Sequence, residues 1–176
     1  MQLHMAPQIR NRRGISNVVA TIILIAVAIA LAVAVAVWVF SLAGSSAKTA
    51  TLNVQALGLT IGSTSGSNSQ LTLVLNNPSS SSIGINGFTL GGLTCTFSIP
   101  IAVPPGTQSA QLAIIFNAGN GSPASGNSAV SSVTFNNNNL SGTPTCTGSV
   151  TLTTGVQYSG ELTTTSGQTY PFTVSS

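Results

Sequence analysis

Residues 15–43 read ISNVVATIILIAVAIALAVAVAVWVFSLA, and the way this run folds decides the architecture of the chain. From 18 to 40 only Thr21 interrupts the apolar side chains, and neither Gly nor Pro occurs between 15 and 43. Within it, 26–37 alternates small and large residues (AVAIALAVAVAV), which taken alone has the two-residue period of a strand. Length decides against that reading. Strands run about three to ten residues, whereas a helix of this length, rising ~1.5 Å per residue, crosses the ~30 Å hydrocarbon core of a bilayer. The many Ala and Leu favour the helix. On a helix, steps of two residues spread small and bulky side chains around every face. A helix that is apolar all round is enclosed all round. Small residues on each face let neighbouring backbones approach closely, so the pattern suits a helix packed among helices. A single-span anchor facing lipid tolerates the same composition.

Ahead of this run lies a basic leader, residues 1–14, MQLHMAPQIRNRRG. It holds Arg10, Arg12 and Arg13, and beyond it only Lys48 and Glu161 carry charge. The net charge of +3 is therefore a property of the leader. Three Arg before the helix and one Lys after it predict a cytoplasmic N-terminus and an outer C-terminal region, with Trp38 and Phe40 near the outer interface. A secretory signal peptide is the competing reading, since small residues at 43–45 offer a cleavage site; its apolar region, however, spans only about 7 to 15 residues.

The scarcity of charge excludes several functions. Charged residues make up 3% of the 176, against about 25% in an average domain. Nucleic-acid binding needs cations for the phosphates, and the bulk of this chain has one. There is no Asp, the one His is His4, and the one carboxylate side chain is Glu161, so neither a Ser-His-Asp triad nor a paired-carboxylate site can be assembled. Two Cys and one Glu are too few for a metal site. The chain is read as a non-enzyme without cofactor, metal or catalytic residues; a Ser–Lys pair using Lys48 is the only nucleophilic system imaginable.

Residues 47–176 change to Ser, Thr, Asn and Gly with short alternating apolar runs at 52–61, 71–76, 83–90, 94–99, 111–116, 130–135, 149–154, 158–164 and 169–174. Turn residues separate them at 62–69, 77–78, 104–106, 119–126, 142–144 and 166–167. Seven to nine short strands with these breaks predict a β-sandwich. Cys95 and Cys146 lie in or beside candidate strands, and outside the cytoplasm two Cys suggest one disulfide; two buried thiols that never meet are the other arrangement. Asn120-Gly121-Ser122 and Asn139-Leu140-Ser141 match the N-glycosylation acceptor pattern, whereas Asn77-Pro78-Ser79 is spoiled by its Pro. The dense Ser and Thr offer O-linked positions, or simply a neutral hydrogen-bonding surface. With almost nothing to titrate, the outer region is expected to tolerate acid.

Arg12-Arg13-Gly14 followed by the apolar run at 15–40 resembles the start of an archaeal type IV pilin. The resemblance implies cleavage between Gly14 and Ile15 by a membrane prepilin peptidase, with Arg12 and Arg13 as the basic residues ahead of the cut. Such a cut removes the charge and keeps the helix. Bacterial relatives usually have Glu at the fifth mature position; here Val19 stands there, which favours the archaeal branch. The runs QLTLVLNNPSSSSIGINGFTL and GELTTTSGQTYPFTV resemble archaeal pilin heads, which are immunoglobulin-like sandwiches. The implied fold class is α+β: leader 1–14, apolar helix 15–46 as membrane anchor and then filament core, and an all-β head at 47–176. The implied function is a structural subunit of an extracellular pilus, used for adhesion, that homopolymerises through helix packing. Its partners would be the peptidase, an assembly ATPase and a membrane platform protein. The precursor would wait in the cytoplasmic membrane. Two other readings fit the same residues: an archaellin of a motility filament, and a single-span surface protein whose sandwich binds a sugar or partner.

Overall fold

A computed structural model describes residues 13–46 and 51–176, with side chains over 15–42 and 51–176. The chain divides into two compact units, Met1–Ala47 and Lys48–Ser176. The first contains one helix, α1, Arg13–Ser46, of 34 residues. It starts two residues ahead of the expected Ile15. Gly14 costs a helix about 1 kcal/mol relative to Ala, too little to stop propagation from so long and favourable a segment. The one hydroxyl inside the apolar run is satisfied locally, because Thr21 Oγ1 donates to the Val18 carbonyl at 2.8 Å.

The second unit is a sandwich of eleven strands, all paired antiparallel. One sheet runs β1-β2-β5-β7-β8, formed by Asn53–Thr60, Ser69–Asn76, Ala110–Phe116, Val130–Phe135 and Asn138–Asn139. The other runs β11-β10-β3-β4-β9-β6, formed by Thr169–Ser175, Gln157–Thr164, Ile83–Leu90, Leu93–Val103, Thr145–Leu152 and Ser122–Ser125. The segments β1-β2-β5 and β11-β10-β3 reproduce the A-B-E and G-F-C orders of immunoglobulin-type sandwiches. The excursion between β5 and β10 departs from that plan. It adds β7 and β8 to one sheet, and β6 and β9 to the other.

Alternation sets the core. Leu71, Leu73 and Leu75 of β2 face inward beside Leu112, Ile114 and Phe116 of β5, all fully buried. Opposite them lie Ile85, Phe88 and Leu90 of β3, Leu93 of β4 and Leu162 of β10. Phe88 joins the layers, stacking at 5.9 Å on Phe97 in its own sheet and edge-on at 6.2 Å against Phe116 of the other. The core cluster is drawn entirely from residues of the second unit. Asn77, also fully buried, lies in the turn after β2; its amide donates to the carbonyls of Ser81 at 2.9 Å and Val103 at 3.0 Å, while its Oδ1 accepts from the Ser79 N–H. A buried amide so satisfied pins a loop that apolar packing alone would leave loose.

Four strands differ from the sequence reading. β9 starts at Thr145 rather than at 149, and its Cys146 pairs with Cys95. Residues 119–126, read as a break, contain β6; its Pro123 is tolerated because β6 is an edge strand and has a ladder partner on one side only. β4 runs on past Pro100 to Val103, because the β3–β4 register shifts between Ile85 and Gly87 and frees residues 97–100 from the ladder. At that shift Gly87 comes so close that a Cβ would lie 2.4 Å from the Cys95 carbonyl oxygen. Finally β7 turns into the two-residue β8 through Asn136 and Asn137, both at positive φ (50° and 65°), the pattern of a type I′ hairpin.

Phe88→Ala should lower the stability of the head by about 3–5 kcal/mol, read from the shift of its denaturant midpoint. Since the core owes nothing to α1 residues, a chain beginning at Lys48 should fold alone under oxidising conditions. A single cooperative thermal transition and dispersed amide resonances would verify this.

Candidate functional site

The feature that sets this chain apart is the surface of α1. Every described side chain from Ile15 to Leu42 is exposed, including Ile15 at 74%, Trp38 at 65% and Phe40 at 79%. Within Ile15–Leu42 an 18-residue stretch reaches a mean hydropathy of 3.2, and among the described residues this is the one helix long and apolar enough to cross a membrane. The six Ala at even positions 26–36 interleave with Val, Ile and Leu, so no polar stripe breaks the surface. Enclosing a Val, Leu or Ile side chain fully is worth about 1.5–3 kcal/mol, and more than a dozen here lie open. Leaving such a surface in water is costly, and lipid or other helices would relieve that cost.

The residues read as the leader junction fall at the start of this helix. Arg12 lies outside the described residues. Arg13 and Gly14 are the first two backbone positions of α1, and Ile15 follows within the first turn, so the Gly14–Ile15 bond lies at a helix terminus, where fraying is ordinary. His4 and Lys48 also lie outside the described residues.

In the head, Cys95 and Cys146 form a disulfide. They are register partners on β4 and β9, 4.1 Å apart at Cα, and both are buried. The bridge thus ties two neighbours in one sheet, rather than crossing between sheets as in antibody domains. It anchors β9, which belongs to the excursion between β5 and β10. The neighbouring Cys146 N–H is held by Asn127 Oδ1 at 3.1 Å.

The two glycosylation sequons occupy different settings. Asn120 sits in the turn before β6, where its Oδ1 accepts the Thr154 N–H at 3.1 Å. Asn139 ends β8, the last strand of its sheet, and its side chain is exposed. Among the described residues no group of three or more His, Cys, Asp or Glu could hold a metal.

The sequence reading missed one concavity. A cleft of about 290 Å³ opens between the irregular stretch of β4 and the β7–β8 hairpin, lined among others by Phe97, Ile99, Phe135 and Leu140. Ile99, on its rim, is 68% exposed. Residues 94–99 alternate as an ordinary strand would, so nothing in them announces the loss of register that turns Ile99 outward. Leu57 is analogous. It is the extra residue where the β1–β2 register shifts between Ala56 and Gly58, and it is 61% exposed. No protein-family model matches the chain, and no curated protein matches it in sequence.

Replacing both cysteines by Ser should lower head stability by about 4 kcal/mol, given their sequence separation of 51, with the variant unfolding at correspondingly lower denaturant. Residues 51–176 contain no Asp, His, Lys or Arg and both Cys are bridged, so Glu161 is their one charged side chain. The thermal midpoint of the head should therefore stay within about 3 °C between about pH 3 and about pH 9; a fall of about 10 °C or more would mean that stability rests on groups other than these.

Proposed function

We propose that this chain is the structural subunit of an extracellular archaeal type IV pilus. The observation that carries the reading is α1: an all-round apolar helix with every described side chain exposed, joined to a sandwich whose core is complete without it. Membrane insertion satisfies such a helix, and so does enclosure by copies of itself. A filament uses both in turn. The precursor is held in the cytoplasmic membrane by α1, with the basic leader inside. A peptidase cuts after Gly14, removing Arg10, Arg12 and Arg13. The helix then moves from lipid into a bundle of identical helices, driven by a cytoplasmic ATPase acting through a membrane platform. The Ala at 26–36 permit close backbone approach in that bundle.

The head in this scheme is the outer skin and the adhesive surface. Its near absence of charge supports the role, because neutral heads can be stacked without mutual repulsion and without dependence on salt. The immunoglobulin-type strand order supports it as well, as a rigid frame that needs no ligand or metal to fold.

N-terminal sequencing of the protein sheared from cell surfaces, together with electron microscopy of the sheared material, tests the reading. Filaments whose subunit begins at Ile15 are the expected result. An intact Met1 recovered in the membrane fraction, with no filaments, would instead make it a single-span surface protein. Gly14→Val, which puts a branched side chain at the cut, should leave the leader attached and abolish filaments without reducing the amount of precursor.

A further inference from the structure

The two sequons are equivalent as sequence and unequal as chemistry. At 120–122 the side chain of Asn120 is exposed and its amide nitrogen is not among the bonded groups, but the other polar groups of the sequon are already engaged. The Asn120 N–H donates to Gly62 O at 2.9 Å, and its Oδ1 is held by Thr154 N–H. Gly121, at a φ of +76°, donates to Leu152 O at 2.7 Å. The Ser122 N–H donates to Gly119 O at 3.0 Å, and the Ser122 hydroxyl donates to Ser65 O at 3.3 Å. The tripeptide is thus a tight turn, wired to the 62–65 loop and to the end of β9. An enzyme could seat it only by breaking these bonds, and the hydroxyl that must face the enzyme is spent elsewhere.

At 139–141 the opposite holds. Asn139 and Ser141 are both exposed while Leu140 between them is half-buried against the core, so the acceptor amide and the hydroxyl two residues on both open to solvent. Backbone pairing from Asn139 to Thr134, and from the Leu140 N–H to Val133 O at 2.9 Å, keeps the segment extended. β8 is the terminal strand of its sheet, so its outer side meets no further strand. Among the described residues no side-chain hydrogen bond engages the Asn139 amide or the Ser141 hydroxyl.

We propose that Asn139 is an N-glycosylation site of this protein and that Asn120, despite its matching sequon, is not. The proposal rests on the reading above insofar as the head must lie outside the cytoplasmic membrane. The donor is a sugar activated as a lipid-linked phosphate ester. Asn139 Nδ2 attacks the anomeric carbon, and an N–C bond forms. The anomeric C–O bond to phosphate breaks and the lipid phosphate leaves with its electron pair. One amide proton passes to solvent. No oxidant or reductant enters.

The test uses the full chain purified from the cells that make it. After reduction, cleavage behind aromatic residues separates the sequons, since Phe116, Phe135 and Tyr158 bound fragments 117–135 and 136–158. Mass spectrometry should find 136–158 heavier by one or more sugar residues and 117–135 at its bare mass. Both Asn139→Gln and Ser141→Ala should return 136–158 to its bare mass, apart from the substitution itself. A bare 136–158 in the wild type, sugar on Asn120, or added mass that survives Asn139→Gln would each overturn the proposal. The filament reading is scored separately. Filaments of bare subunits beginning at Ile15 would sink the glycan alone, and a glycosylated chain still carrying Met1 in the membrane would sink the filament alone.

Discussion

An apolar helix with no polar face has to be surrounded, and the rest of this protein is arranged around that requirement. An amphipathic helix can settle on its own domain and expose its other side. α1 has no such side, since the Ala–Val alternation from 26 to 37 puts bulky carbon on every generator of the cylinder. The core of the head takes no residue from it. The head is correspondingly self-sufficient. It closes its core from two sheets, ties the excursion between β5 and β10 with the Cys95–Cys146 bridge, and fixes the loop after β2 with the buried Asn77 amide.

The same division explains where charge is found. Apart from the leader, the chain carries Lys48 and Glu161 alone. A domain meant to stay dispersed in water ordinarily uses net charge for that purpose. A domain delivered to a fixed place in a polymer has no such need, and uniform Ser, Thr and Asn leave it able to lie against copies of itself with no electrostatic cost.

Much of the fold was legible because the relevant residues speak locally. The apolar run at 15–43 could only be a helix by length, and the leucines of β2 and the β3 run declare strands by alternation. What escaped was non-local. β6 hides behind Pro123, which looks like a breaker until its position at the sheet edge is known. The displacement of β9 toward 145 depends on pairing Cys146 with Cys95, a partner 51 residues away. The cleft beside Ile99 and the outward turn of Leu57 come from register shifts, which are properties of two strands together and leave no mark in either one alone. The two sequons show the same limit: their tripeptides look alike, and only the bonds from Ser65, Leu152 and Thr154 distinguish them.

The sheet edges have a consequence for life at high density. Exposed edge strands are invitations to pair with another molecule, and soluble proteins commonly refuse by placing Lys along the edge. Residues 51–176, which form every strand of this head, contain no Lys or Arg. The head closes its edges by shape instead: Pro171 in β11, Pro123 in β6, a β8 only two residues long, and a bulge at Leu57 in β1. In the proposed filament, heads held about a few nanometres apart would experience a local concentration of at least the millimolar range, the regime in which strand swapping and amyloid-like fusion compete with correct neighbours. Steric refusal works at any pH and any salt. A charge-poor polymer coat can therefore remain an ordered lattice of separate domains instead of annealing into one continuous sheet.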